Sequence, residues 1–135
     1  MADLEQAEHV IELMVLAAWA DGRVEGTEAQ AVQRLASREP LLHGHGPVGD
    51  VSKITHRRLV SEGMEQCLLA SVRGLKDKPY RELGFQCAAK VMGKGNRSSV
   101  EEDRLLSRLQ TMLGFQPADV ERLLVVAAAP RLPGA

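Results

Sequence analysis

The sequence predicts an all-α fold: about seven helices in one compact domain. Three observations predict it. The apolar class makes up 44% of the 135 residues, yet only 3% are aromatic, namely Trp19, Tyr80, Phe85 and Phe115. A core of Leu, Val, Ala, Ile and Met suits close helix–helix contact better than a β-sandwich, which favours β-branched and aromatic residues. Apolar residues also recur at spacings of three and four, and capping and breaking residues divide the runs.

The elements follow in order. Asp3 is placed to cap the first helix, with Gln6 as its capping-box partner. Leu4, Ala7, Val10, Ile11, Met14, Ala17 and Ala18 form its stripe, and Asp21-Gly22 ends it. The second helix runs from about Gly26 to Arg38, with Ala31, Val32 and Leu35 as its apolar face, and Glu39-Pro40 stops it. The Gly- and Pro-rich stretch 40–50 reads as a loop. Asp50 then caps a short helix whose apolar residues are Ile54, Leu59 and Val60, and Gly63 interrupts it. Met64, Cys67, Leu68, Val72 and Leu75 are in register on a fourth helix. Asp77-Lys78-Pro79 starts a fifth, since Pro fits a first helical turn. Tyr80, Leu83, Gly84, Cys87, Ala88 and Val91 line one face of it, and Gly93-Lys94-Gly95-Asn96 ends it. Ser99 and Glu102 make a capping box for the sixth, which carries Leu105, Leu106, Leu109, Met112 and Leu113 and closes at Gly114. Phe115 precedes Gln116-Pro117 as a staple for the seventh, with Val120, Leu123, Leu124 and Ala127. Residues 130–135 read as a frayed tail, and 1–135 as a single domain.

The charge balance excludes several classes. Seventeen Lys plus Arg against eighteen Asp plus Glu give −1, which is no nucleic-acid footprint. No apolar run reaches transmembrane length. The acidic start Met1–Glu5 lacks the pattern of a secretion signal. Cys67 and Cys87 lie in helical patterns, a cytosolic habit rather than a disulfide framework. A cytoplasmic protein is the expectation.

One unit occurs twice, at about residues 4–38 and 78–113. Ala17-Ala18-Trp19-Ala20-Asp21-Gly22 leads through Glu25 to Glu28, and Ala88-Ala89-Lys90-Val91-Met92-Gly93 leads through Ser99 to Glu102. Each is an Ala-rich helix end, a Gly turn, a cap and a new helix. Two such helix–turn–helix units can bury their apolar faces together about a pseudo-two-fold axis.

The run Ala18-Trp19-Ala20-Asp21-Gly22-x-Val24-x-x-x-Glu28, followed by a helix, resembles the TerB-like family of tellurite-resistance proteins. The same motif occurs in the N-terminal domain of DjlA membrane co-chaperones. Lys76-Asp77-Lys78-Pro79-Tyr80-Arg81 and the Ala-rich helix to Met92 are similar to the family's approach to its second motif. The resemblance covers about residues 5–127. It implies an all-helical bacterial protein of stress response or defence, held at the inner membrane, where it is held there at all, by partners. It also implies a divalent, calcium-like cation on acidic residues near the turn, which are here Asp21 and Glu28 with Glu25 nearby. The second motif departs from the pattern. Lys94 stands where an Asp is expected, and Asn96 and Ser99 are neutral, so a symmetric two-metal arrangement is not expected.

The residues themselves leave two readings of the acidic group. Asp21, Glu25 and Glu28 supply three carboxylates to a hard cation that takes about six to eight oxygens. The same three are what a helix end and a capped helix start require. The segment is no EF-hand, because Arg23 and Val32 occupy ligand positions. His43-Gly44-His45 offers only two imidazoles on a Gly-rich loop, short of a zinc site unless His9 or His56 joins it. Cys67 and Cys87 read as buried structural thiols, with no neighbour to lower a thiol pKa. Arg57-Arg58 and Arg104-x-x-x-Arg108 read as solvated faces. Trp19 continues one edge of the first stripe beside Val15, as a packing anchor or a docking residue. No catalytic motif appears.

Three functions follow as expectations. The first is an interaction module without enzymatic activity, docking helical faces on protein partners or on a second copy, and tuned by a cation at Asp21 and Glu28. The second is a metal-binding sensor. The third is a small-molecule-binding domain or enzyme.

Overall fold

Apolar residues fill nearly every position from Val10 to Ala18, too many for one face of a helix. A helix apolar on all sides must be enclosed, and this one is. In the computed structural model, which describes residues 2–20, 27–42, 48–92 and 100–128, α1 (Ala2–Ala20) runs through the centre of the molecule. Val10, Ile11 and every residue from Leu13 to Ala18 are fully buried. Around it lie α2 (Thr27–Ser37), a 3-10 turn (Pro40–Leu42), α3 (Val48–Glu62), α4 (Met64–Gly74), α5 (Lys78–Met92) and α6 (Val100–Leu113). The last helix, α7 (Pro117–Ala128), rests on α5. The structure is all-helical, with seven helices and no strand among the described residues.

The most extensive packing joins α1 to α5. Tyr80, Leu83, Gly84, Cys87, Ala88 and Val91 are all buried, as the α5 spacing predicts. Phe85 adds to this face, and its ring meets Phe115 edge-on at 5.7 Å and 85°. Phe115 thus packs across to α5 while also standing before α7. Arg81 ties two helix ends together. Its guanidinium donates to the Leu75 carbonyl at 2.9 Å and to the Leu113 carbonyl at 2.5 Å. A cation there complements the negative ends of α4 and α6.

Several boundaries differ from the expected ones. The first helix begins at Ala2, so Asp3 lies within it, and Gln6 faces inward instead of serving a capping box. Helix α3 begins at Val48, which puts Asp50 in its first turn rather than at its cap. Residues 40–42 form a 3-10 turn that buries Leu42. Gly63 does separate α3 from α4, at φ 89°, a left-handed conformation that side chains other than Gly rarely adopt.

The largest difference concerns which face of α3 is inside. The expected apolar residues were Ile54, Leu59 and Val60. Ile54 is 55% exposed and Val60 76%, while Ser52 and Thr55 are buried and Leu59 and Val51 are half-buried. A residue lies inside when its angle around the helix faces the core, whatever its chemistry. Ser52, Thr55 and Leu59 share one such angle, and Ile54 and Val60 point away from it.

The two segments expected to repeat fall on the helix pairs α1–α2 and α5–α6, of 19 and 11 residues against 15 and 14, and the expected pseudo-two-fold relation between them is not confirmed. The turns between them, 21–26 and 93–99, lie outside the described residues, as does the tail 130–135.

Candidate functional site

Of the residues singled out for metal binding, Asp21 and Glu25 lie outside the described residues. Glu28 lies on α2, but its side chain lies outside them too. The same holds for His43-Gly44-His45, Lys94, Ser99 and the Glu102 side chain. Among the described residues no group of three or more His, Cys, Asp or Glu side chains could hold a metal ion. His9 and His56 are each engaged elsewhere, and no helix among the described residues is long and apolar enough to cross a membrane.

Trp19 is half-buried near the end of α1. Its indole lies parallel to the imidazole of His56 on α3, with ring centroids 4.5 Å apart and planes 4° apart. The contact joins the two helices. Its Nε1 is buried with no hydrogen-bond partner among the described residues. An unmet donor of this kind costs about 1–3 kcal/mol.

A polar cluster sits where α1 meets α4. His9 Nδ1 lies 2.7 Å from Glu12 Oε1, and the Ser71 hydroxyl donates to the same oxygen at 2.8 Å. The His9 ring packs close against Gly74. A Cβ at that position would sit about 2.0 Å from the ring, so only Gly allows the approach. The hydrogen bond to Glu12 raises the His9 pKa above its ordinary value, and the charges of Glu12, Glu8 and Glu5 add to it against the effect of burial. Burial works to raise the Glu12 pKa. The hydrogen bonds from His9 and Ser71, with the charges of His9 and Arg58, outweigh it and hold Glu12 below the usual range.

The cluster contains the residue types of a hydrolytic triad but not their arrangement. Ser71 donates to the carboxylate and not to the imidazole, and it is only 2% exposed. A nucleophile needs a base on its own hydroxyl and access to substrate. The geometry is that of a clamp between helices.

Gln6 makes a second clamp. Its Oε1 accepts from the backbone N–H groups of Lys76 and Asp77, both at 2.9 Å, and its Nε2 donates to Asp77 Oδ2 at 3.0 Å. This holds the α4–α5 corner against α1. Both clamps escaped the sequence reading. Gln6 had a signal, since it stands in the helical register of Val10, Leu13 and Ala17, and a polar residue on an apolar line implies an internal partner. The His9–Glu12 pair, at i and i+3, had one as well. Nothing local announces Ser71, Lys76 or Asp77 as their partners.

The thiols behave as expected of buried groups. Burial pushes Cys87 up to about 12, helped by Glu39 and opposed by Lys90. Burial also raises Cys67, with Arg58 opposing and Glu62 and Glu12 adding. Neither is poised as a thiolate.

The surface carries ion pairs, Lys90 with Glu39, Arg58 with Glu62, Arg108 with Glu65 and Arg122 with Glu82, and exposed cations without an ion-pair partner among the described residues, Arg34, Arg38, Arg73 and Arg104. The outward side of α3 combines such cations with exposed apolar residues. Lys53 and Arg57 are exposed with no ion-pair partner among the described residues, and they flank the exposed Ile54 and Val60. Comparison of the chain with family models, with curated proteins and with solved structures finds no match.

Proposed function

We propose that the chain is a TerB-like interaction module of a bacterial stress response, which acts by docking a helical face on protein partners. The observation that carries this reading is the outward face of α3, where Ile54 at 55% and Val60 at 76% exposure stand beside the unpaired Lys53 and Arg57. Apolar residues ringed by unpaired charge are the raw material of a small, polar-rimmed interface. The Trp19–His56 stack supports α3 from behind and fixes its position on α1. A binding role rather than a catalytic one is further supported by the fate of Ser71, His9 and Glu12, whose polar atoms are spent on one another.

Site-specific photo-crosslinking in the native cell tests the reading. A crosslinker placed at position 54 or 60 should give discrete protein adducts, and one at Ala118, exposed on α7, should not. Equal labelling from all three positions, or none from 54 and 60, would sink it.

A further inference from the structure

Helix α1 lies against each of α2, α3, α4, α5 and α6, so those six helices share one packed centre. Helix α7 is outside it. Among the described residues its substantial packing is against α5 alone. Two contacts fix the side of α5 that it uses. Phe115, just before α7, sets its ring against Phe85, and Arg122 donates to Glu82 at 2.8 Å. Glu82, Phe85, Gln86 and Ala89 share that side, at i, i+3, i+4 and i+7. Of these only Phe85 and Ala89 are apolar. The side of α5 toward α1 carries Tyr80, Gly84, Cys87, Ala88 and Val91, all buried except that Gly84 has no side chain to bury. It lies so close that a Cβ at Gly84 would come 3.0 Å from Leu13. One helix therefore makes a tight apolar contact on one side and a thin one on the other.

The joint before α7 has a fixed part and a free part. Arg81 holds the Leu113 carbonyl at 2.5 Å, and the chain reverses at Gly114 with φ 75°. The Phe115 N–H donates to the Gln110 carbonyl at 3.1 Å, and Gln110 Nε2 donates to the Phe115 carbonyl at 3.4 Å. These bonds tie Leu113 and Phe115 to the preceding helices. From Gln116 onward the local bonds turn to α7 itself. The Gln116 N–H donates to Asp119 Oδ2 at 3.1 Å, and its carbonyl accepts from Val120 at 3.1 Å. We infer that α7 is a detachable helix: it opens from α5 as one unit about the Phe115–Gln116 joint while the helices around α1 stay packed. Opening puts Leu123, buried when closed, and the half-buried Val120 and Leu124 in water. The Arg122–Glu82 pair holds the closed form only weakly, since Arg122 is 52% exposed and water screens the attraction. Elements with few apolar contacts open below the free energy of global unfolding. The device is independent of the outward face of α3.

Native-state amide exchange of the full chain in rising, sub-denaturing urea tests it. Trp19, the single tryptophan, stands on α1 and gives the global unfolding curve by fluorescence. The amides of α7 should exchange about a hundredfold or more faster than those of Val10 to Ala18, and they should share one opening free energy. Their common urea dependence should be shallower than that of the Trp19 curve, because opening one helix exposes less surface than unfolding the chain. Amides of α5 should follow α1. If the α7 amides fall on the Trp19 curve, α7 leaves only when the whole chain unfolds, and the proposal is overturned. Rates graded toward Ala128 with no shared opening overturn it as well, since they describe fraying of a helix end and not the release of a unit.

Discussion

Helices α1 and α3 both carry apolar residues at helical spacing, and the molecule treats them in opposite ways. The first is enclosed, with Val10, Ile11 and Leu13 to Ala18 all out of solvent. The third keeps Ser52 and Thr55 inside and leaves Ile54 and Val60 in water. The difference teaches that apolar content marks a helix that can be buried, whereas position in the bundle decides whether and how it is. A central helix has neighbours at every angle. A peripheral one has neighbours on one side, and whatever stands there is buried.

The largest expected effect would sharpen that contrast directly. Leu16→Ala on α1 opens a cavity in a closed site and should cost about 2–5 kcal/mol. Val60→Ala on α3 removes a side chain already in water and should fall within about 0.5 kcal/mol of wild type. Urea unfolding of both variants at low protein concentration measures the gap. Similar losses would break the distinction between the two helices.

A smaller effect is expected at the polar edge of α1. Gln6→Ala strands the N–H groups of Lys76 and Asp77 and should cost about 1–3 kcal/mol. Amide exchange should quicken at those two residues ahead of the rest of α5. Uniform change, or none, would mean that the corner holds without Gln6.

The smallest effect is in the pH dependence of the His9–Glu12 pair. The folded pKa of His9 is raised, so its contribution is complete below the ordinary value of 6.5 and is lost as pH rises through the folded value. The folded pKa of Glu12 is lowered, so its contribution is complete above the ordinary value of 4.5 and is lost as pH falls through the folded value. Stability owed to the pair is therefore greatest between 4.5 and 6.5 and declines on both sides. Both groups are partly exposed, so solvent reduces the amplitude. Unfolding midpoints across pH should show His9→Asn flattening the alkaline decline and Glu12→Gln flattening both. An alkaline decline unchanged in His9→Asn would place its origin elsewhere.

The sequence by itself determined the helices. The spacing of Cys67, Leu68, Val72 and Leu75, and of Tyr80, Leu83, Cys87, Ala88 and Val91, marks buried faces that the structure confirms. The breaks at Gly63 and Gly114 fall where the chain takes a positive φ. These signals are local, since propensity, caps and periodicity act within a turn or two. Tertiary structure alone decided the rest. Whether α1 is striped or enclosed depends on how many helices surround it. Which side of α3 faces water depends on the angle at which it lies against α1 and α4. The partners of Gln6 lie 70 and 71 residues away, and Ser71 lies 59 from Glu12. Hydrogen bonds between helices form only after apolar burial has brought the helices together, and a side chain's neighbours across the bundle leave no periodic trace in the chain.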